Sequence, residues 1–122
     1  IGKAQSTAGW AGTFYVNGSV WFEGSNLYAS SDERLKNIKE NAVFTLEDVL
    51  NIRKVYYTYK NDETNKLELG VIAQDVQTIC PQIVSVDDEG YLSVAYDKLS
   101  VVALSAIDEL YQRVKKLEEK IK

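Results

Sequence analysis

Ser31 and Lys36 carry the strongest chemical signal in this 122-residue chain, within the run Ser30-Ser31-Asp32-Glu33-Arg34-Leu35-Lys36. A hydroxyl and an amine five residues apart form a potential nucleophile–base pair, the Ser–Lys variant of the arrangement that usually needs histidine. The amine works as a base only when neutral. Lowering a lysine pKa from about 10.4 to about 7 costs on the order of 4–5 kcal/mol, which burial or a neighbouring cation supplies. Leu35 and Arg34 stand beside Lys36, so burial in an assembled core would provide both. The same residues also have a local reading. Ser30 followed by Glu33 makes a capping box, and Asp32 and Glu33 suit the first turn of a helix. Taken alone the local reading is favoured, because Ser-x-x-x-x-Lys is a common spacing.

Other chemistries are removed by absence. The chain has no histidine, which eliminates Ser-His-Asp and Cys-His catalysis and argues against a transition-metal site. Its single cysteine, Cys80, permits no intrachain disulfide and sits in an apolar context before Pro81, as a buried structural thiol does. A net charge of −4 argues against nucleic acid as a partner, since phosphate neutralisation needs a basic surface. No apolar run approaches membrane-spanning length. The turn Asp87-Asp88-Glu89 offers carboxylates for Ca²⁺ but no further ligands, and is read as a solvated hairpin tip. No Gly-rich phosphate loop is present and no cofactor is required; a nucleotide site at a subunit interface would leave no single-chain motif.

The elements around the pair divide at Ser31. Residues 1–30 are aromatic, rich in Gly and Ser, and poor in charge, while residues 31–122 are highly charged with alternating helical and strand patterns. The division predicts the end of an upstream β-rich segment over 1–30 and a separate domain over 31–122, the whole being the C-terminal piece of a longer chain; the alternative is that the first residues form an N-terminal hairpin of this same domain. Thr13-Phe14-Tyr15-Val16 and Ser19-Val20-Trp21-Phe22 flank Asn17-Gly18, which predicts a hairpin with a type I′ turn. Its apolar residues lie on both faces, so it must pack on other chains or on preceding sequence. Val43 to Asn51 has helical spacing with Thr45 as a cap. Arg53 to Lys60 and Leu67 to Ala73 read as partner strands, Gln74 to Cys80 as a short helix ended by Pro81, and Ile83–Val86 with Tyr91–Val94 as a second hairpin.

From Tyr96 to Lys122 there is no Pro or Gly, and a seven-residue repeat emerges. Ile107, Val114 and Ile121 take one core position, and Ala103, Leu110 and Leu117 take the other, a coiled-coil seam within about 100–122. Before Ile107 the helix is expected to pack on its own domain. Arg113 and Glu118 flank the seam and are expected to pair between parallel helices. β-Branched residues alternating with Leu favour two strands by the simple rule, so the repeat alone says oligomer without giving the number. The expected fold class is α+β: hairpins and short helices ending in a long C-terminal helix.

Ser31-Asp32-Glu33-Arg34-Leu35-Lys36 resembles the opening of the C-terminal intramolecular chaperone domain of phage tailspikes, endosialidases and tail or neck appendage fibres. The resemblance continues in order through Leu50-Asn51-Ile52-Arg53 with Tyr57-Thr58-Tyr59-Lys60. It then runs through Gly70-Val71-Ile72-Ala73-Gln74-Asp75-Val76 with Pro81-Gln82-Ile83-Val84, and through Leu92-Ser93-Val94-Ala95-Tyr96-Asp97-Lys98-Leu99. It covers residues 31–122 and stops at Ser31; Lys54 stands where the family commonly has proline. The resemblance implies a homotrimer joined through the final helix, acting on its own upstream β-rich fibre domain with no nucleic acid or membrane partner. It further implies self-cleavage with Ser31 as nucleophile and Lys36 as base, at the Ser30–Ser31 bond. Assembly would take place in the host cell cytoplasm, the upstream product remaining in the virion fibre and this domain being released. Two other readings stay open: a non-cleaving trimerisation module of the same fold, and the similar self-cleaving domain of a cellular transcription factor. An unrelated coiled-coil adaptor is a further rival.

Overall fold

The computed structural model describes residues 15–24 and 26–122. The chain divides into two units, Ile1–Ile38 and Lys39–Lys122. In the first, residues 15–24 carry bends and no strand, so the second strand of the expected hairpin, Ser19 to Phe22, is not formed. Thr13 and Phe14 lie outside the described residues. The aromatics explain the outcome: Tyr15, Trp21, Phe22 and Tyr28 are all exposed, and a two-faced apolar hairpin has nothing in a single chain to cover it. Among the described residues of this unit, the regular element is a 3₁₀ turn over Glu33–Leu35.

The first regular element of the second unit is a short helix α1, Leu46–Leu50, preceded by residues 41–45 without regular structure. The helix starts three residues later than its apolar spacing suggested. Thr45 is the N-cap, its hydroxyl accepting the Asp48 amide at 3.2 Å, and the Phe44 amide is held elsewhere, by the Ser105 hydroxyl. Strands β1 (Lys54–Tyr57) and β2 (Glu68–Val71) pair antiparallel with Val55 opposite Gly70 and Tyr56 opposite Leu69. The connection is fixed by Asp62, whose carboxylate accepts the Thr64 amide at 2.9 Å and the Thr64 hydroxyl at 2.7 Å, ahead of Asn65 at φ 52°. Lys54 opens β1 and turns its amine to the Leu50 carbonyl at 3.4 Å.

Helix α2, Ala73–Ile79, ends at Cys80, and Pro81 starts a 3₁₀ turn over Pro81–Ile83, as expected of a residue that lacks an N–H and cannot continue a helix. Strands β3 (Val84–Val86) and β4 (Leu92–Val94) form the second antiparallel pair. At its tip Asp87 accepts the Glu89 and Tyr91 amides, both at 2.9 Å, and Gly90 supplies φ 87°. Asp87 therefore serves the turn, and among the described residues no cluster of acids, Cys or His is arranged for a metal. Arg53 joins the start of β1 to α2. Its backbone amide and its Nε reach Asp75 Oδ2 at 3.0 and 2.8 Å, and its Nη2 reaches Oδ1 at 3.1 Å. This fork holds the Asp75 carboxyl below its ordinary pKa, the side-chain bonds to Arg53 being the main cause.

The chain closes with α3, Tyr96–Lys120. The core is small: Ile52, Val76, Cys80, Val102 and Ala106, of which only Val76 is fully buried among the described residues. The Cys80 thiol is buried and free. Gly70 sits where the sheet meets α3. A Cβ at this position would run into the Tyr96 hydroxyl and lie 3.2 Å from Tyr57 Cε1. The Tyr96 hydroxyl accepts the Val71 amide at 3.1 Å, so Gly70→Ala displaces the group that satisfies that amide. Gly70→Ala is expected to lower the free energy of unfolding by about 1–3 kcal/mol, the usual cost of overpacking, read as a lower urea midpoint. Tyr96→Phe, which loses only the hydrogen bond, is expected to cost about 1 kcal/mol. Equal midpoints for Gly70→Ala and the parent would show that the contact yields freely.

Candidate active site

The 3₁₀ turn brings the Ser31 and Lys36 side chains together. Its first residue is fixed by Asp32, which has extended backbone (φ −67°, ψ 130°) and accepts the Arg34 amide on Oδ1 at 2.9 Å. The Arg34 guanidinium folds back on the same carboxylate, with Nε on Oδ1 at 3.1 Å and Nη2 on Oδ2 at 2.8 Å. Backbone bonds from Leu35 to the Asp32 carbonyl (3.0 Å) and from Lys36 to the Glu33 carbonyl (3.1 Å) complete the turn. The reversal sets Lys36 Nζ to donate to Ser31 Oγ at 2.7 Å. Asp32 is held below the ordinary carboxylate range by Arg34, side chain first and then backbone amide. It is therefore an anion that shapes the turn, not a proton carrier.

This geometry replaces the expected capping box. Asp32, not Ser30, is the N-cap, because a carboxylate accepts an amide and a guanidinium at once, and charge-assisted bonds are about twice as strong as neutral ones. Ser30 makes no side-chain hydrogen bond among the described residues, and Ser31 turns its oxygen to the lysine. All seven residues from Ser30 to Lys36 are exposed. Lys36 Nζ is the donor and Ser31 Oγ the acceptor of this bond. A neutral amine at the same distance could instead accept a proton from the hydroxyl.

The expected seam residues, five on α3 and Ile121 at its C-cap, are exposed in the single chain. Ile107 is 59% exposed, Leu110 47%, Val114 43%, Leu117 61% and Ile121 84%, and Ala103 is exposed with them. The helix packs on its own domain through a different stripe, Val102 and Ala106 with the edge Ser105, Glu109 and Arg113. Arg113, expected to pair with Glu118 across helices, is taken within the chain. Nη1 meets Glu47 at 2.7 Å, and Nη2 meets Glu47 at 2.9 Å and Glu109 at 3.0 Å. Two carboxylates of its own chain flank it, and they raise the guanidinium pKa, Glu47 foremost. The polar spacing 105, 109, 113 was present in the sequence but lay off the seam and was missed.

The single chain thus leaves an apolar face of α3 and the Ser31–Lys36 turn exposed. Residues 31–85 match the family described as chaperone of endosialidase, a peptidase family. The match begins on Ser31 and includes Lys36. The chain is also 35% identical over 117 residues to the long tail fiber protein Gp37 of Enterobacteria phage Ox2, covering 88% of this chain and 45% of that protein. It is 34% identical over 117 residues to the protein of the same name from Enterobacteria phage M1, with the same coverage. The chain thus spans less than half the length of these relatives. Among the described residues no helix is long and apolar enough to cross a membrane.

Proposed function

We propose that this chain is the C-terminal chaperone segment of a phage tail fibre protein. In this reading it trimerises through α3, registers the β-rich fibre chain ahead of it during assembly in the host cell, and then cuts itself free between Ser30 and Ser31. The observation that carries the reading is the 2.7 Å approach of Lys36 Nζ to Ser31 Oγ at the residue where the family match begins. In the step proposed, neutral Lys36 takes the Ser31 hydroxyl proton, and Oγ attacks the Ser30 carbonyl carbon. The C–N bond breaks as the proton passes to the Ser31 nitrogen, leaving an ester between Ser30 and the Ser31 side chain. Water then hydrolyses the ester to a Ser30 carboxylate and restores the hydroxyl. No cofactor enters, and each chain reacts once.

Exposure of the pair fits a checkpoint. In the single chain Lys36 is exposed; packing in an assembled trimer would strip water from the amine and favour its neutral form. Pairing β structure between three chains is slow because loop-closure entropy precedes the reward, and a coiled coil turns the encounter into a local search at high effective concentration. Loss of the registering segment afterwards leaves the fibre kinetically trapped.

The test is the intact mass of the denatured protein, expressed with its natural upstream segment. Two fragments are expected, the smaller starting at Ser31. A full-length mass from a trimeric sample would instead support the non-cleaving module.

A further inference from the structure

The segment ahead of α1 is laid along α3 by three side chains at four-residue spacing. Ser105 Oγ accepts the Phe44 amide at 3.0 Å, the Glu109 carboxylate accepts the Leu46 amide, and Arg113 ties Glu109 to Glu47 on α1. Phe44 follows Lys36 by eight residues, so these bonds fix the end of the tether that carries Ser31 and Lys36. We infer that Arg113 is a positioning residue for the proposed cleavage. By holding Glu47 and Glu109 together it pins residues 44–47 to α3 and so limits where the Ser31–Lys36 turn lies relative to the assembling helices. This rests on the cleavage reading above.

The expected size follows from chain statistics. With Phe44 pinned, the tether from Lys36 has eight residues; with the strap free, the next firm anchor is Ile52, 5% exposed, sixteen residues on. Effective concentration falls roughly as the −3/2 power of length, so doubling the tether lowers it about threefold. Arg113→Met also leaves the Glu47 and Glu109 carboxylates facing each other without their cation, which drives α1 off α3.

The experiment compares the parent protein, with its upstream segment, with Arg113→Met, Arg113→Lys, Glu47→Gln and Thr45→Ala. It reads the first-order cleavage rate, the sedimentation mass and hydrogen exchange at the Phe44 and Leu46 amides. Expected are cleavage slowed threefold or more in Arg113→Met and Glu47→Gln with the oligomer retained, faster exchange at both amides, and partial recovery in Arg113→Lys, which keeps the charge without the fork. Thr45→Ala removes the cap but not the clamp, and is expected to slow cleavage less than Arg113→Met at equal loss of melting temperature. Glu47 lies off the seam, so Glu47→Gln decides the matter if Arg113→Met alters the oligomer. Parent-like cleavage with faster exchange, or unchanged exchange in Glu47→Gln, overturns the inference. A parent that never cleaves overturns the cleavage reading and this inference with it, while the exchange data still report whether the clamp holds the strap.

Discussion

Ser31→Ala is expected to leave the chain whole, with the cleavage rate lowered by a factor on the order of 10⁴ or more, as when a covalent nucleophile is removed. Nothing else in the turn replaces it. Asp32 is occupied by Arg34, and Ser30 lies on the acyl side of the bond to be cut. Lys36→Met keeps the stem but removes the base, and is expected to slow cleavage by about 10²–10⁴, the usual range for general base catalysis. The two variants are told apart by pH. Where an amine base is mostly protonated, its neutral fraction and the rate rise about tenfold per pH unit. That slope should be present in the parent and absent in Lys36→Met. Neither change touches α3, so both proteins should sediment as the parent does. A break that survives Ser31→Ala would name the wrong nucleophile and make Ser30 the next to test. A parent rate flat with pH across the neutral range would argue for a carboxylate in place of Lys36.

What the sequence revealed, and what it concealed, follows the range of the interactions involved. Elements set by local rules were legible. Thr45 capping α1, Pro81 ending α2, and Asp87 with Gly90 turning the second hairpin each depend on residues within four positions. The approach of Ser31 to Lys36 was legible as a candidate because it too spans five residues. Its local alternative failed on a competition the pattern cannot rank, a carboxylate two residues before an arginine against a neutral hydroxyl. The polar contacts between α1 and α3 were not legible. Ser105, Glu109 and Arg113 act on residues 61 to 66 positions earlier, and no local preference links them. The Asn17-Gly18 hairpin illustrates the reverse: the turn signal is strong, but the strands on either side present apolar residues on both faces and lack a second layer in one chain. Turn chemistry makes a hairpin possible, and burial decides whether it persists.

The same shortage of partners makes the α3 seam the most sensitive place in the molecule. On the proposed reading, Leu110→Asp combined with Leu117→Asp is expected to abolish assembly, read as a single-chain mass by sedimentation equilibrium at concentrations where the parent mass is a multiple of the chain. Burying a leucine is worth roughly 1.5–3 kcal/mol. Two layers of three leucines in a trimer therefore hold on the order of 10 kcal/mol, more than so small a core can replace. Both residues are exposed in the single chain while Val102 and Ala106 are the buried residues of α3, so the secondary structure should survive by circular dichroism. Glu119→Gln, on the face away from the seam, is the control and should assemble as the parent does. The parent mass also settles the strand number, which the alternation of β-branched residues with Leu points to as two and the family resemblance as three. Cleavage gives the deeper reading. If assembly is what dries Lys36, the double variant should stay uncut although Ser31 and Lys36 are intact, and dilution of the parent should slow cleavage in step with the loss of oligomer. Cleavage of the single-chain variant at the parent rate would sink the checkpoint. It would mean that the turn, with its 2.7 Å Lys36–Ser31 bond, is competent in one chain alone.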